Sequence, residues 1–135
     1  MKPFYRILEA LFLFFFGGIL YYCLELISRG HSHYSMILCG GLVFYFVSLL
    51  NRHFENSLTL ITRLILSSMI ITGTELLFGI IFNLHLGYSV WDYSEHAIHY
   101  RGQICLTFSI LWFFLSLPLF WLERKIRLAF SSLLR

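Results

Sequence analysis

The sequence predicts an all-α fold: a polytopic membrane protein, built as a bundle of four transmembrane helices with both termini cytoplasmic. Composition is the first reason, since hydrophobic residues make up 59% of the chain, charged residues only 13%, and the mean hydropathy is +0.77. Length is the second, because a spanning helix uses about 20 residues, and four such helices nearly fill a chain of 135 residues. The third is the uneven placement of Lys and Arg, which cytoplasmic loops retain.

The first two spans are expected at residues 7–27 and 34–50. Basic residues precede the first apolar run, as they do in a signal peptide. However, the run is longer than the usual signal-peptide core of about 7 to 15 residues. Glu25 and Arg29 also stand where small cleavage-site residues are expected. The first span is therefore predicted to remain as a helix.

The third and fourth spans are expected at residues 64–84 and 102–122, because backbone in lipid must satisfy its own hydrogen bonds and so must be helical. Residues 52–63 are compatible with a loop or with an extension of the third helix. Residues 85–101 form a longer polar and aromatic segment, which we call the outer connection. The whole chain is predicted to be a single integral membrane domain.

Orientation follows from the basic residues, most of which fall on one side of the predicted spans. These are Lys2, Arg6, Arg52, Arg63, Arg124, Lys125, Arg127 and Arg135. Only Arg29 and Arg101 fall on the other side, so the first side is predicted to be cytoplasmic. This asymmetry, together with attraction to anionic headgroups, accounts for the net charge of +3. No nucleic-acid partner is predicted.

Glu75 lies near the middle of the third span, which is otherwise free of charge. A charged side chain at the centre of a membrane helix costs about 2.5 to 3.5 kcal/mol on insertion scales, so it normally faces a protein interior or a wet cavity. One interpretation is a proton or cation-substrate site. The other is a protonated, hydrogen-bonded carboxyl that holds helices together, and the sequence leaves both open.

Helical periodicity predicts the neighbours of Glu75, because residues three and four apart share a face. The polar stripe of the third span, expected to face protein, comprises Ser68, Thr72, Glu75, Gly79 and Asn83. A seam of the fourth span, expected to meet the polar stripe, comprises Gly102, Cys105, Ser109, Trp112 and Ser116.

One face of the first span carries Gly18, Tyr21, Tyr22 and Glu25. A tyrosine hydroxyl of this face could donate to a carboxylate across the bundle, although its glycine could simply permit close packing. Glu25 could instead form an interfacial ion pair with Arg29, four residues later. The predicted substrate or proton site comprises Glu75, Thr72, Ser68, Glu25 and Tyr22.

Histidine and cysteine patterns do not predict a metal site or a cofactor. A zinc-like site is conceivable from the spacing of His31, His33, His96 and His99. The simpler interpretation is interfacial packing, since no H-E-x-x-H motif occurs in the sequence. The odd number of cysteines makes a full disulfide framework impossible, so they are expected to be small packing residues. Nucleotide-binding motifs are also missing from the sequence, so any ATP hydrolysis is assigned to a partner.

Four segments, taken in order, carry a family resemblance. They are residues 29–36 (Arg-Gly-His-Ser-His-Tyr-Ser-Met), Thr74-Glu75, residues 91–94 (Trp-Asp-Tyr-Ser), and residues 102–106 (Gly-Gln-Ile-Cys-Leu) followed by Trp112. With these segments the chain resembles the bacterial CmpB-like family labelled ABC-transporter type IV, over roughly residues 18–122. One departure is that residues 95–100 read Glu-His-Ala-Ile-His-Tyr, where the family pattern often has a Pro-Phe-Asn type stretch.

The resemblance implies a small multi-pass protein of the bacterial cytoplasmic membrane that acts as a permease. Its surroundings would be the lipid bilayer, and its partners a second copy or another membrane subunit, together with a possible separate ATPase. If the outer segments fold back over the bundle, the matching residues form an outer cluster. This outer cluster comprises Arg29, His33, Trp91, Asp92, Tyr93, Ser94, Arg101 and Gln103.

Two hypotheses describe the outer cluster. In the first it is a lid, in which Asp92 pairs with Arg29 or Arg101 and controls access to Glu75. In the second it is an anchored turn, in which Asp92 or Ser94 caps the next helix.

Three function classes are compatible with the sequence. The first is a small transporter or permease subunit, with Glu75 as the coupling or substrate-binding acid. The second is a non-transporting membrane module that binds a partner helix or lipid. The third, a hydrolase or metalloenzyme using His33 with Asp92, has no supporting nucleophile motif. The chain is therefore not expected to be an enzyme, and the sequence leaves its substrate, transport direction and energy source open.

Overall fold

The computed structural model describes residues 3–133, without the side chains of Ser28 and Arg29. Its long helices are α1 (Pro3–Arg29), α2 (Ser35–Phe54), α3 (Leu60–Phe78) and α4 (Leu106–Leu133). A π-helical segment (Gly79–His85) continues α3, and the strands β1 (His99–Tyr100) and β2 (Ile104–Cys105) precede α4. Each long helix, with α3 taken together with its π-helical segment, is long and apolar enough to cross a membrane. The predicted all-α architecture with four spans is confirmed, and the predicted basic residues Lys2 and Arg135 lie outside the described residues.

Residues 52–63 divide between two helices and a short loop. α2 continues to Phe54, and α3 begins at Leu60. The Thr59 hydroxyl accepts a hydrogen bond from the backbone N–H of Thr62 at 3.3 Å, which caps the start of α3. We call this end of the bundle, which also holds the first residues of α1 and the last residues of α4, the inner end.

The fourth helix begins later than predicted. Residues 102–105 form a turn and β2, which pairs antiparallel with β1. The φ angles of Arg101 and Gly102 are 50° and 74°, in the left-handed region that a right-handed helix does not contain. The prediction that Gly102 and Cys105 belong to the helical seam is therefore wrong. The outer connection extends to residue 105, and α4 runs past the predicted end at residue 122 to Leu133.

Glycines allow α1 and α2 to pack closely. A Cβ atom placed on Gly17 would overlap Cβ of Phe44, and one on Gly40 would lie 2.6 Å from Cβ of Tyr21. Gly18 packs in the same way against the α2 backbone at Ile37. Small residues at such contacts let helix backbones approach each other, which favours association where both helices are surrounded by lipid. The role of Gly18 is therefore helix packing.

Two buried clusters hold the other elements in place. The first joins α2, α3 and α4 and comprises Val47, Leu64, Ile71, Trp112 and Phe120. The second joins the outer connection to α2 and α3 and comprises Met36, Cys39, Phe78, Val90 and Trp91. The outer connection is thus folded into the bundle, and this brings its side chains near Glu75.

Candidate functional site

Glu75 lies inside the bundle, with only 5% of its surface exposed. The Trp112 Nε1–H donates to its Oε2 at 3.0 Å, and the Tyr93 hydroxyl donates to its Oε1 at 3.0 Å. Because an indole N–H can only donate, the oxygen that it contacts must accept. Among the residues described, Glu75 forms no ion pair. Its carboxyl group is therefore held by neutral donors alone.

Tyr93 reaches Glu75 from the outer connection. Its ring stacks on Phe108 of α4, with centroids 4.7 Å apart and an interplanar angle of 11°. Burial and the neighbouring Glu75 carboxyl hold the pKa of Tyr93 well above its usual range. The Tyr93 hydroxyl therefore stays protonated and remains available as a donor.

The first span does not supply the tyrosine donor that its sequence pattern predicts. Tyr22 is half-buried on α1, and in the described part of the chain neither Tyr22 nor Tyr21 donates a hydrogen bond to Glu75. Glu25 is also half-buried and interacts electrostatically with Glu75. The side chain of its suggested partner, Arg29, lies outside the described residues.

The polar stripe meets α4, as predicted. The Ser68 hydroxyl donates to the Ser109 carbonyl at 2.6 Å, and the Thr72 and Ser109 hydroxyls lie 2.8 Å apart. Ser68 and Thr72 precede Glu75 along α3 and lie on the same face of the helix. Their contacts with Ser109 therefore fix the rotation of α3 relative to α4. Ser68 and Thr72 therefore orient the helix that carries the acid.

A cavity of about 230 Å³ lies beside Glu75, and all four long helices contribute to its wall. Apart from Glu75 its wall is largely apolar. Side chains in the wall include Leu20, Tyr21, Val43, Ile71, Trp112 and Leu119. Pro118 of α4 also lines the cavity, and its missing N–H weakens the helix ladder beside it. The carboxyl group of Glu75 thus faces a largely apolar cavity.

Gln103 ties the outer connection to the end of the third span. Its Oε1 accepts from Asn83 Nδ2 at 2.8 Å, and its backbone carbonyl accepts from the Trp91 Nε1–H at 2.9 Å. Asn83 also donates to the Trp91 carbonyl at 3.1 Å and accepts from the Val90 N–H at 2.6 Å. A Cβ on Gly79 would lie 2.6 Å from Gln103 Oε1, so this glycine permits the contact. The periodicity of the sequence places Asn83 and Gly79 on the polar stripe but does not indicate that they bind Gln103.

The rest of the outer cluster forms a local turn. Asp92 Oδ1 accepts from the Ser94 N–H at 2.9 Å, and this bond lowers the pKa of Asp92. Asp92, Ser94 and Arg101 are exposed, and no ion pair joins Asp92 to Arg101 among the described residues. Helix capping by Asp92 or Ser94 does not occur either, because β1 and β2 separate this turn from α4.

His33 and His99, at the end of the bundle that holds the outer connection, lie in separate environments. His33 Nδ1 lies 2.7 Å from the Ser35 hydroxyl, and the His33 ring packs 5.3 Å from that of Tyr88. The Nδ1 atom of His99 accepts from the Gly102 N–H at 3.0 Å. Within residues 3–133, no three His, Cys, Asp or Glu side chains come together in a way that could hold a metal ion.

The inner end contains an ionic cluster that the sequence analysis does not predict. This inner ionic cluster comprises Glu9, Asn51, Arg52, Glu55, Arg63, Glu123 and Arg127. Glu9 and Glu123 are each only 1% exposed. Arg52 pairs with both of them and so joins α1, α2 and α4.

Arg127 completes the inner ionic cluster. Its guanidinium binds both oxygens of Glu55, at 2.8 and 3.1 Å, and Oε2 of Glu123 at 3.2 Å. Asn51 also donates to Glu123 Oε2, at 3.0 Å, and accepts from Arg63 of α3. Two sequence features do indicate parts of this cluster. Glu9 is an acid inside the predicted first span, and Glu123 and Arg127 have the i, i+4 spacing of a helical ion pair.

A family model described as "Putative ABC-transporter type IV" matches residues 12–133. The chain belongs to this family. The resemblance noted in the sequence is thereby confirmed. The ABC-transporter type IV match contains Glu75, Tyr93, Trp112 and the whole outer cluster, whereas Glu9 precedes it. No curated protein and no solved structure matches the chain. Four apolar helices and membership of a transporter family together identify a multi-pass membrane protein.

Proposed function

We propose that this chain is the membrane-embedded subunit of a transporter, in which Glu75 binds and releases a proton or a cationic substrate. The observation that carries this proposal is a carboxyl group that is 5% exposed, borders a cavity and, within the described part of the chain, accepts hydrogen bonds from neutral donors and forms no ion pair. Such a group can exchange a positive charge without breaking an ion pair. Ionisable residues with this placement are typical of transport pathways.

The neighbours of Glu75 have distinct roles in this proposal. Trp112 holds one oxygen from α4, and Ser68 and Thr72 fix the packing of α3 on α4. Tyr93 holds the other oxygen from the outer connection. Release of the Tyr93 hydroxyl would open Glu75 toward the outer side, so Tyr93 is the part of the outer cluster that acts as a lid.

Membrane placement and partners belong to the same proposal. Six described basic residues lie at the inner end, and Arg101 lies in the outer connection; the six are Arg6, Arg52, Arg63, Arg124, Lys125 and Arg127. This distribution supports a cytoplasmic inner end, with both termini cytoplasmic, in the bacterial cytoplasmic membrane. The family description supports a separate ATPase as the energy source and a second copy or other subunit as membrane partner. The chain would act as a single membrane domain.

Proton flux in proteoliposomes tests the proposal. Vesicles that contain the purified protein and a pH-sensitive dye inside would be exposed to an acid pulse. We expect wild-type protein to carry protons. Glu75→Gln should abolish the flux, because a glutamine amide does not bind a proton at the pH of the assay. Glu95→Gln makes the same chemical change at an exposed acid and should leave the flux unchanged. Flux that survives Glu75→Gln at the wild-type rate would overturn the role of Glu75.

A further inference from the structure

The cavity beside Glu75 has an opening toward the membrane. Three residues of its wall are exposed at the surface: Leu24 of α1 (54% exposed), Leu115 of α4 (39% exposed) and Pro118 of α4. α1 packs mainly against α2 and touches α4 much less. The gap between α1 and α4 therefore connects the cavity sideways to the region that lipid chains occupy around these apolar helices.

We propose that this cavity binds a small lipophilic ammonium ion, which enters from the bilayer between α1 and α4 and pairs with the carboxylate of Glu75. The inference rests on the proposed function and names its substrate class. Three features of the cavity carry it: its size, its single acid and the aromatic rings beside that acid.

The size of the cavity limits the ligand. An apolar protein cavity of about 150 Å³ accommodates benzene, and the cavity beside Glu75 has a volume of about 230 Å³. The additional volume accommodates a two-carbon chain and one amino group attached to a benzene ring. A ligand of several fused rings does not fit without movement of the helices.

The charge of the cavity selects a cation. A carboxylate offers about four lone-pair sites, and the Tyr93 and Trp112 donors occupy two of them. The remaining sites can accept N–H groups of an ammonium ion. The rings of Tyr21 and Trp112 lie 6.3 Å apart in the cavity wall, so their faces can attract the same positive charge. An anion would meet only repulsion from Glu75.

A series of ligands of similar size and three different charges tests the inference. The probes are 2-phenylethylammonium, the neutral 2-phenylethanol and the anion phenylacetate. Binding would be measured with radiolabelled probes on protein in lipid nanodiscs, and the signal of empty nanodiscs would be subtracted. We expect saturable binding of the ammonium ion, at least about tenfold tighter than that of the alcohol, because a charge-assisted hydrogen bond is stronger than a neutral one. No binding is expected for the anion.

Two variants localise the site. Glu75→Gln should reduce the affinity for the ammonium ion about tenfold or more and leave that for the alcohol nearly unchanged. Leu20→Trp fills the cavity from α1 and should abolish binding of both. Ile19→Trp places the same bulk on the neighbouring position, which is 54% exposed and does not line the cavity, and should bind like wild type.

The outcomes separate this inference from the proposed function. Glu75-dependent proton flux without ammonium binding would overturn the substrate class and leave the transport role intact. Glu75-dependent ammonium binding without proton flux would support the site and contradict proton transport through Glu75. If no probe binds and Leu20→Trp instead changes the oligomeric state, a second copy covers the opening and the inference is wrong.

Discussion

Glu75 and Glu123 are both buried carboxyl groups in a bundle of apolar helices, but their partners differ in charge. Glu75 accepts hydrogen bonds from Tyr93 and Trp112, which are neutral. Glu123 contacts two guanidinium groups, those of Arg52 and Arg127, and the amide of Asn51. Among the described residues, the first acid has no cationic partner, whereas the second is paired with two cations.

This difference indicates a division of labour along the bundle. At the inner end, charges neutralise one another and tie α1, α2 and α4 together. Around Glu75, neutral donors and an apolar cavity surround one acid. If this division is correct, the inner ionic cluster should dominate stability and the Glu75 site should dominate function. Four substitutions test that expectation, from the largest expected effect to the smallest.

Replacing Glu123 with glutamine should produce the largest loss of stability. Removing one partner of a buried ion pair costs about 3 to 5 kcal/mol, because the opposite charge is left buried. Glu9 and Glu55 still pair with Arg52 and Arg127, so we expect a value near the lower limit, about 3 kcal/mol. Equilibrium unfolding in mixed micelles measures the free energy directly. Glu95→Gln, at an exposed acid, should stay within about 0.5 kcal/mol of wild type.

Replacing Glu75 with glutamine should destabilise the protein much less. The glutamine oxygen can still accept from Trp112, and its NH₂ group can donate to the Tyr93 hydroxyl. The substitution should therefore lower the free energy of unfolding by little more than the net contribution of one hydrogen bond. We expect a loss of about 1 kcal/mol in the same unfolding measurement. A loss equal to that of Glu123→Gln would contradict the division between the two regions, since Glu75 would then also be a structural anchor.

The comparison also explains how much could be predicted from the sequence. The position of Glu75 inside the bundle could be predicted, because one acid in a long apolar segment is a strong signal. Helical spacing also places Ser68 and Thr72 on the same face as Glu75. The contact of Ser68 and Thr72 with Ser109 follows from the same periodicity. Family membership could be predicted as well, because short motifs in a fixed order are specific.

Contacts that depend on the path of a non-helical segment could not be predicted. Tyr93 reaches Glu75 only because the outer connection folds into the bundle, and no periodicity describes such a segment. The left-handed turn at Arg101 and Gly102 likewise moves the start of α4. The inner ionic cluster was missed for a different reason. Its basic residues fit the pattern that predicts orientation, and this pattern does not indicate which acids they pair with, although an acid such as Glu9 inside a span requires a partner.

Removing the Tyr93 hydroxyl tests whether the outer connection is held by the acid site. In Tyr93→Phe the stacking on Phe108 is retained, while the hydrogen bond to Glu75 is lost. We expect a global loss of about 0.5 to 1 kcal/mol, together with faster amide hydrogen exchange in residues 86–98. Unchanged exchange in this segment would show that the contacts of Asn83 and Gln103 and the packing of the buried cluster hold it, and that the Tyr93 hydroxyl does not.

The smallest expected effect concerns Glu55, at the edge of the inner ionic cluster. Its hydrogen bonds to Arg127 lower the pKa of Glu55 below the value of an unfolded chain, about 4.3. Its contribution to stability is therefore present above that pH and is lost as the pH falls through the folded value. The Glu55 side chain is 24% exposed, so we expect less than about 1 kcal/mol. Glu55→Gln should make the unfolding free energy less dependent on pH below about 4.3. An unchanged pH dependence would mean that solvent already screens this pair, and that the buried contacts of Glu123 and Glu9 supply the ionic stability of the inner end.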